Sequence, residues 1–185
     1  MKLKVNDTIS IQLVNETHAQ PIFELVNNNR PHLREWLPFV DRMQTVEFAE
    51  NFVKGTIQRN KEGHEFAFVI IENDQLIGRI GIYKIDNQNK IGEIGYWLAE
   101  KMQGRGIITQ SCKTLIEFCL SELNLNRMEI KCSTENLKSQ SIPQKLGFTK
   151  EGIIRQGELV HGKFIDLQLY SLLKTDVENL HLHKN

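Results

Sequence analysis

The spacing of apolar residues along this chain changes several times, and each change marks an element. Alternation over 8–14 predicts a first strand, and Thr17-His18-Ala19-Gln20 has a capping-box pattern that opens a helix with apolar Ile22, Leu25 and Val26. Pro31 and Pro38 bracket His32-Leu33-Arg34-Glu35-Trp36-Leu37, which predicts a short helix set in loops. After Thr45, the residues Ala49, Phe52, Val53, Thr56 and Ile57 mark one face of a helix that runs out at Glu62-Gly63. Two apolar runs, 66–72 and 76–85, flank the polar pair Asn73-Asp74 and read as an antiparallel hairpin, with a third strand over 91–99. Helical spacing returns at Ile108, Cys112, Leu115, Ile116, Cys119, Leu120 and Leu123, and 127–132 alternates as a strand, so this stretch makes a β-loop-α-β crossover. A helix near 137–146 stops at Gly147, and strands near 148–155 and 163–173 follow. The pattern predicts an α/β (α+β) fold with a mixed, mostly antiparallel sheet of about seven strands.

Composition narrows the setting. With 185 residues, 40% hydrophobic and 25% charged, the chain reads as one domain over 1–185, with a core over 8–174 and a polar tail over 175–185. Lys plus Arg and Asp plus Glu both number 23, so no net field favours nucleic acid or an anionic membrane as a partner. The N-terminus lacks a signal-like apolar stretch, and the apolar run 66–71 is too short to cross a bilayer, which leads us to expect a cytoplasmic protein. Cys112, Cys119 and Cys132 form no C-x-x-C pair and read as buried thiols of a reducing compartment. The six histidines are scattered, His181 and His183 fall in the tail, and no metal is expected.

The most informative junction is the strand over 91–99, a short connection, and then Gly104-Arg105-Gly106 leading directly into an amphipathic helix. Such a junction aims unpaired backbone N–H groups and the positive end of the helix dipole at one point, where a phosphate binds. A plain strand-to-helix turn explains the same letters. Thr109 stands where a dinucleotide fingerprint needs its third glycine, and no G-x-x-x-x-G-K-[ST] occurs, so the Rossmann and P-loop readings fail.

Gln103-Gly104-Arg105-Gly106-Ile107-Ile108 resembles the pyrophosphate loop of GNAT N-acetyltransferases, and Asn136-Leu137-Lys138-Ser139 with Leu146-Gly147-Phe148 resembles their second motif. His32-Leu33-Arg34-Glu35-Trp36-Leu37-Pro38, Glu93-Ile94-Gly95-Tyr96-Trp97-Leu98 and Glu151-Gly152-Ile153-Ile154-Arg155 look like the branch that acetylates the N-termini of ribosomal proteins. The resemblance covers roughly 8–174 and implies the GNAT fold, with helices on both faces of a twisted sheet and a splayed cleft for acetyl-CoA. Ile108 departs from the Gly or Ala usual at its place, which narrows the loop at most, and binding is expected to survive because the anchoring there is by backbone amides. By the same resemblance Trp97, Leu98 and Ala99 offer backbone groups to the pantetheine arm, and Asn136 and Ser139 contact the cofactor. Gly92 and Gly95 read either as a bulge that splays the sheet or as close packing.

Direct transfer needs a deprotonated amine, a donor for the thioester oxygen and a proton for the leaving thiolate. Glu93 is the candidate base, its pKa raised by burial, with a salt-bridged structural role as the alternative. Ser139 is placed by resemblance against the CoA sulfur. The position one turn later, where many GNAT enzymes have Tyr, is Pro143, so the acid is Ser139, Tyr170 or water. Pro143 also predicts a kinked or late-starting helix, because it denies the Ser139 carbonyl a partner. Asn136 reads equally as a simple helix cap. The cysteines on the apolar helix face argue against a covalent acetyl-cysteine. Trp36, with His32 and Arg34, is assigned to the acceptor mouth, with a core plug as the alternative for Trp36. Freeing an amine at pH 7 costs about 1 kcal/mol for an α-amine and about 5 for a lysine, which favours a protein N-terminus, and a ribosomal one by resemblance. A small amine is the second reading and a non-catalytic acetyl-CoA sensor the third; a homodimer is compatible with all three.

Overall fold

The computed structural model describes residues 1–182, and side chains as far as Glu178; His183 of the anticipated tail lies outside the described residues. Eight strands form one sheet in the order β1-β2-β3-β4-β5-β6-β8-β7. They are β1 (Lys2–Lys4), β2 (Ile9–Leu13), β3 (Phe66–Glu72), β4 (Gln75–Asp86), β5 (Ile91–Leu98), β6 (Arg127–Ser133), β7 (Thr149–Val160) and β8 (Lys163–Leu173). The strand beyond the expected seven is β1, whose Lys-Leu-Lys alternation is too short to stand out in sequence. The helices are α1 (Ala19–Asn28), α2 (Arg30–Arg34), α3 (Val46–Lys61), α4 (Ile107–Ser121), α5 (Leu137–Lys145) and α6 (Lys174–Leu182).

Local chemistry sets several boundaries. Thr45 caps α3 by accepting from the Phe48 amide. The first helical turn is capped earlier than its sequence pattern implied: Asn15, not Thr17, is the cap, and His18 closes the box on the Asn15 amide at 3.2 Å. The tail expected from residue 175 begins instead within a helix, Lys174–Leu182; Asp176 accepts from the Leu173 amide at 2.9 Å and Val177 packs on the core.

Two apolar layers cover the sheet. On one face Ile80, Ile82, Ile94, Met128, Ile130 and Tyr170 pack against Cys112, Leu115 and Cys119 of α4. On the other, Ala67 and Val69 meet Ile22 and Val26 of α1 and Ala49 and Val53 of α3. Neighbouring strands are antiparallel except β5 and β6. That parallel pair is short: only Ile91, Gly92 and Glu93 pair, with Arg127, Met128 and Glu129. Beyond Glu93 the two strands diverge, leaving the β6-facing edge of β5 open from Ile94 to Leu98. A bulge lies at the closed end instead, on β4, where the register with β5 shifts between Tyr83 and Asp86, opposite Glu93 and Ile91, and Lys84 takes φ 50°. The β5 glycines are there for packing: a Cβ at Gly92 would lie 2.7 Å from Ile82, and one at Gly95 3.2 Å from the Tyr83 ring.

Candidate active site

The divergence of β5 and β6 opens a cleft of about 730 Å³. Of the residues singled out in sequence, His32, Trp36, Trp97, Leu98, Gln103, Gly104, Gly106, Ile107, Ile108, Asn136 and Ser139 line it. Ala99, Arg34, Arg105, Glu93 and Tyr170 are not among its lining residues, and each has a visible reason.

One wall is the start of α4. Gly106 is the N-cap, with φ 73°, and no side chain caps the helix. The Ile107, Ile108 and Thr109 amides therefore face the cleft without the intrahelical acceptors that later turns have. Gly104 also has a positive φ, 75°, and a Cβ there would meet nothing within 4 Å, so backbone conformation rather than crowding requires the glycine. Ile108 is buried against the core and also lines the cleft. Arg105 turns away: its guanidinium holds the largely buried Glu72 carboxylate at 2.7 and 2.9 Å, tying the loop to the end of β3. The Ala99 amide is engaged by the Ile77 carbonyl at 2.9 Å.

The opposite wall is α5, whose Asn136 caps it by accepting from the Ser139 amide at 3.0 Å. Cap and cleft contact are thus both true of Asn136. The helix begins at Leu137, not late, and Pro143 lies inside it. Proline removes the N–H that would have bonded the Ser139 carbonyl. The Tyr96 hydroxyl fills that vacancy, donating to the Ser139 carbonyl at 3.0 Å. Ser139 Oγ then lies 3.3 Å from Tyr96 Oη and 3.2 Å from Cys132 Sγ. Burial, with Cys132 and Cys112 nearby, raises the Tyr96 phenol well above its ordinary value, and burial likewise raises the Cys132 thiol, so both hold their protons at neutral pH. Tyr96 went unnoticed in sequence, although the missing N–H at Pro143 advertised a free carbonyl for some donor. Tyr170 is fully buried away from the cleft, donating to Gln140 at 3.1 Å and accepting from Gln144 at 3.2 Å, which removes it as a proton source.

Glu93 proves to be a brace. Burial would raise its carboxyl, but Lys131 at 2.9 Å, and then Lys84 at 3.1 Å, hold it below the ordinary value, the reverse of the expected shift. Lys131 also reaches Glu129 at 3.2 Å, Arg127 bonds Glu129 at 2.8 Å, and Arg127 clasps Glu151 at 2.6 and 2.7 Å. This ladder of alternating charges crosses the sheet at the closed end of the V, where the three parallel pairs are. The carboxyl that does move upward is Glu158 on β7, through desolvation first and the Glu93 charge second, with Lys84 opposing, but its side chain is exposed and is not among those lining the cleft. Sequence reading missed it because its proximity to Glu93 depends on how β7 folds back beside β8. The tip of that hairpin is anchored: His161 bonds the Arg34 carbonyl and lies 2.9 Å from Asp41. Asp41 also holds the Arg34 guanidinium at 2.7 and 3.0 Å, so Arg34 fastens the hairpin instead of lining the mouth. Trp36 lines the cleft.

A cleft between diverging strands, walled by an uncapped helix start and a hydroxyl pair, has close counterparts. The model of the acetyltransferase (GNAT) domain family matches residues 9–149. The ribosomal-protein-serine acetyltransferase of Escherichia coli (strain K12) is 33% identical over 169 residues, covering 91% of this chain and 94% of that protein. Among solved structures, RimL, a ribosomal L7/L12 α-N-protein acetyltransferase in complex with coenzyme A as a CoA–cysteine disulfide, superposes with TM-score 0.91 at 27% identity, over 95% of this chain and 99% of that one. The microcin C7 self-immunity acetyltransferase MccE, in complex with acetyl-CoA and AMP, gives TM-score 0.88 at 28% identity, over 92% of this chain and 94% of that one. This chain belongs to the GNAT acetyltransferase family.

Proposed function

We propose that this acetyl-CoA-dependent N-acetyltransferase acts in the cytoplasm on the N-terminal α-amine of a protein, with a ribosomal protein as the acceptor. The observation that carries the catalytic reading is the Ser139–Tyr96 pair, set by the Pro143 vacancy at the splay of β5 and β6. In this reading the uncapped turn of α4 receives the pyrophosphate, and the open edge of β5 at Trp97 and Leu98 bonds the pantetheine amides as an added strand would. Ser139 donates to the departing sulfur, while Tyr96 keeps its own proton on the Ser139 carbonyl and fixes that residue in place.

With Glu93 held below the ordinary carboxylate value, the acceptor is freed without a strong base, because an α-amine asks only about 1 kcal/mol to be free at pH 7. Activity should therefore rise with pH through the titration of the α-amine itself, and an acidic limb in the carboxylate range would assign the proton to a carboxylate instead.

The acceptor is tested by following CoA release with Ser- and Ala-starting peptides, the same peptides already acetylated at the α-nitrogen, and small amines. We expect turnover of the free peptides only, with the new acetyl group on the α-nitrogen by mass spectrometry. Turnover confined to small amines would move the assignment toward chemistry like that of MccE, and tight CoA binding with no turnover would make the protein a sensor.

A further inference from the structure

The pyrophosphate loop carries one cation of its own, Arg105, and that cation is already used. Both of its terminal nitrogens hold Glu72, and Nη1 also meets Met102 Sδ at 3.2 Å. The positive charge that reaches the loop comes from the other wall. Lys138, in the first turn of α5, places Nζ 3.2 Å from Gln103 Oε1, while the Gln103 amide nitrogen lies 2.8 Å from His32 Nε2. A bridge His32–Gln103–Lys138 therefore spans the mouth from α2 to α5. Seven residues along α5, two helical turns and about 10 Å, Lys145 stands on the same side and lines the same cleft. Among the described residues, neither lysine has a carboxylate within 4.0 Å, whereas Arg34, Arg105, Arg127 and Lys131 are all paired. The two carboxylates that line the cleft, Glu35 and Glu135, lie outside α5.

Two unpaired cations two turns apart suit a ligand with two separate phosphate groups on one sugar. Coenzyme A has this arrangement, a diphosphate on the 5′ side of its ribose and a monophosphate on the 3′ side. We propose that α5 is the nucleotide-reading element of this enzyme: Lys138 pairs with the diphosphate, and Lys145 reads the 3′-phosphate, so that preference for CoA over its 3′-dephospho analogue resides in one lysine. The proposal rests on the acetyl-CoA reading above. Lysine suits the task, since its ammonium is a point charge on a flexible stem that reaches a phosphate without a fixed fork geometry.

The test is calorimetric titration of the wild type, Lys138→Ala, Lys145→Ala and Lys145→Arg with CoA and with 3′-dephospho-CoA at low ionic strength. The wild type should bind CoA about tenfold more tightly than the analogue, and Lys145→Ala should bring the two affinities together by weakening CoA alone. Lys138→Ala should weaken both ligands by about the same factor and keep their ratio, while Lys145→Arg keeps the ratio as well. Added salt should erode the wild-type preference. A Lys145→Ala variant with the wild-type ratio, or a Lys138→Ala variant with full affinity for both ligands, would overturn the corresponding assignment. A wild-type protein that binds neither ligand would overturn the cofactor reading instead, and so the two failures are separate. Thermal unfolding of each variant, expected to match the wild type because both lysines lie on the surface of the cleft, guards against a folding defect.

Discussion

Two helices begin at the cleft, and they begin differently. The start of α4 is a left-handed glycine with no side chain to satisfy its amides, whereas α5 is closed by Asn136, whose carboxamide takes the Ser139 amide for itself. An unsatisfied start is a receptor, because its N–H groups and dipole remain available to an anion from outside. A satisfied start is a mount. Its geometry is settled internally, so it can present a side chain, here Ser139, at a constant position. The difference lies in one residue on each wall, Gly106 against Asn136.

Substitutions at these starts should therefore fail in different ways. The largest expected effect is Ser139→Ala, which removes what the mount presents: kcat should fall about a hundredfold while CoA affinity holds, and a variant with full kcat would take Ser139 out of the mechanism. Gly106→Val should act on the receptor alone, forcing a β-branched residue to a φ of 73° and crowding the approach, so that CoA binds at least about tenfold more weakly; unchanged affinity by titration would remove the loop from the cofactor site. Asn136→Ala should cost about 1 kcal/mol in denaturant unfolding and lower kcat severalfold by loosening the mount. If it reduced CoA affinity as much as the Gly106 variant does, the distinction between the two starts would collapse. The smallest effect is expected for Pro143→Ala, which restores an N–H that competes with Tyr96 for the Ser139 carbonyl. It should raise Tm while lowering kcat by about two- to threefold, opposite signs that a purely structural proline would not produce.

The sequence was most legible where the chemistry is local. The period of the apolar residues placed β3 and the apolar face of α3 after Thr45, and the glycines at 104 and 106, together with Asn136 and Ser139, stood out because each motif is a few residues long. What stayed hidden depends on which strands become neighbours. Glu93 looked like a base because nothing in its own segment shows Lys131 on β6 and Lys84 on the β4 bulge. The commitment of the Arg105 guanidinium to Glu72, thirty-three residues earlier, was hidden for the same reason. Helix α6 was misread for a different reason: its composition is polar, and among its described side chains Val177 is the apolar one packed on the core.

The three-pair contact between β5 and β6 has an implication for how the protein persists in a cell. The sheet is incomplete along the β5 edge from Ile94 to Leu98, and in our reading the missing partner is the pantetheine arm of the enzyme's own donor. A ligand that binds only the folded form adds to folding stability in proportion to the logarithm of its concentration over Kd. The resistance of the chain to unfolding and proteolysis would then rise and fall with the supply of acetyl-CoA, so its abundance would record the metabolic state that also sets its rate.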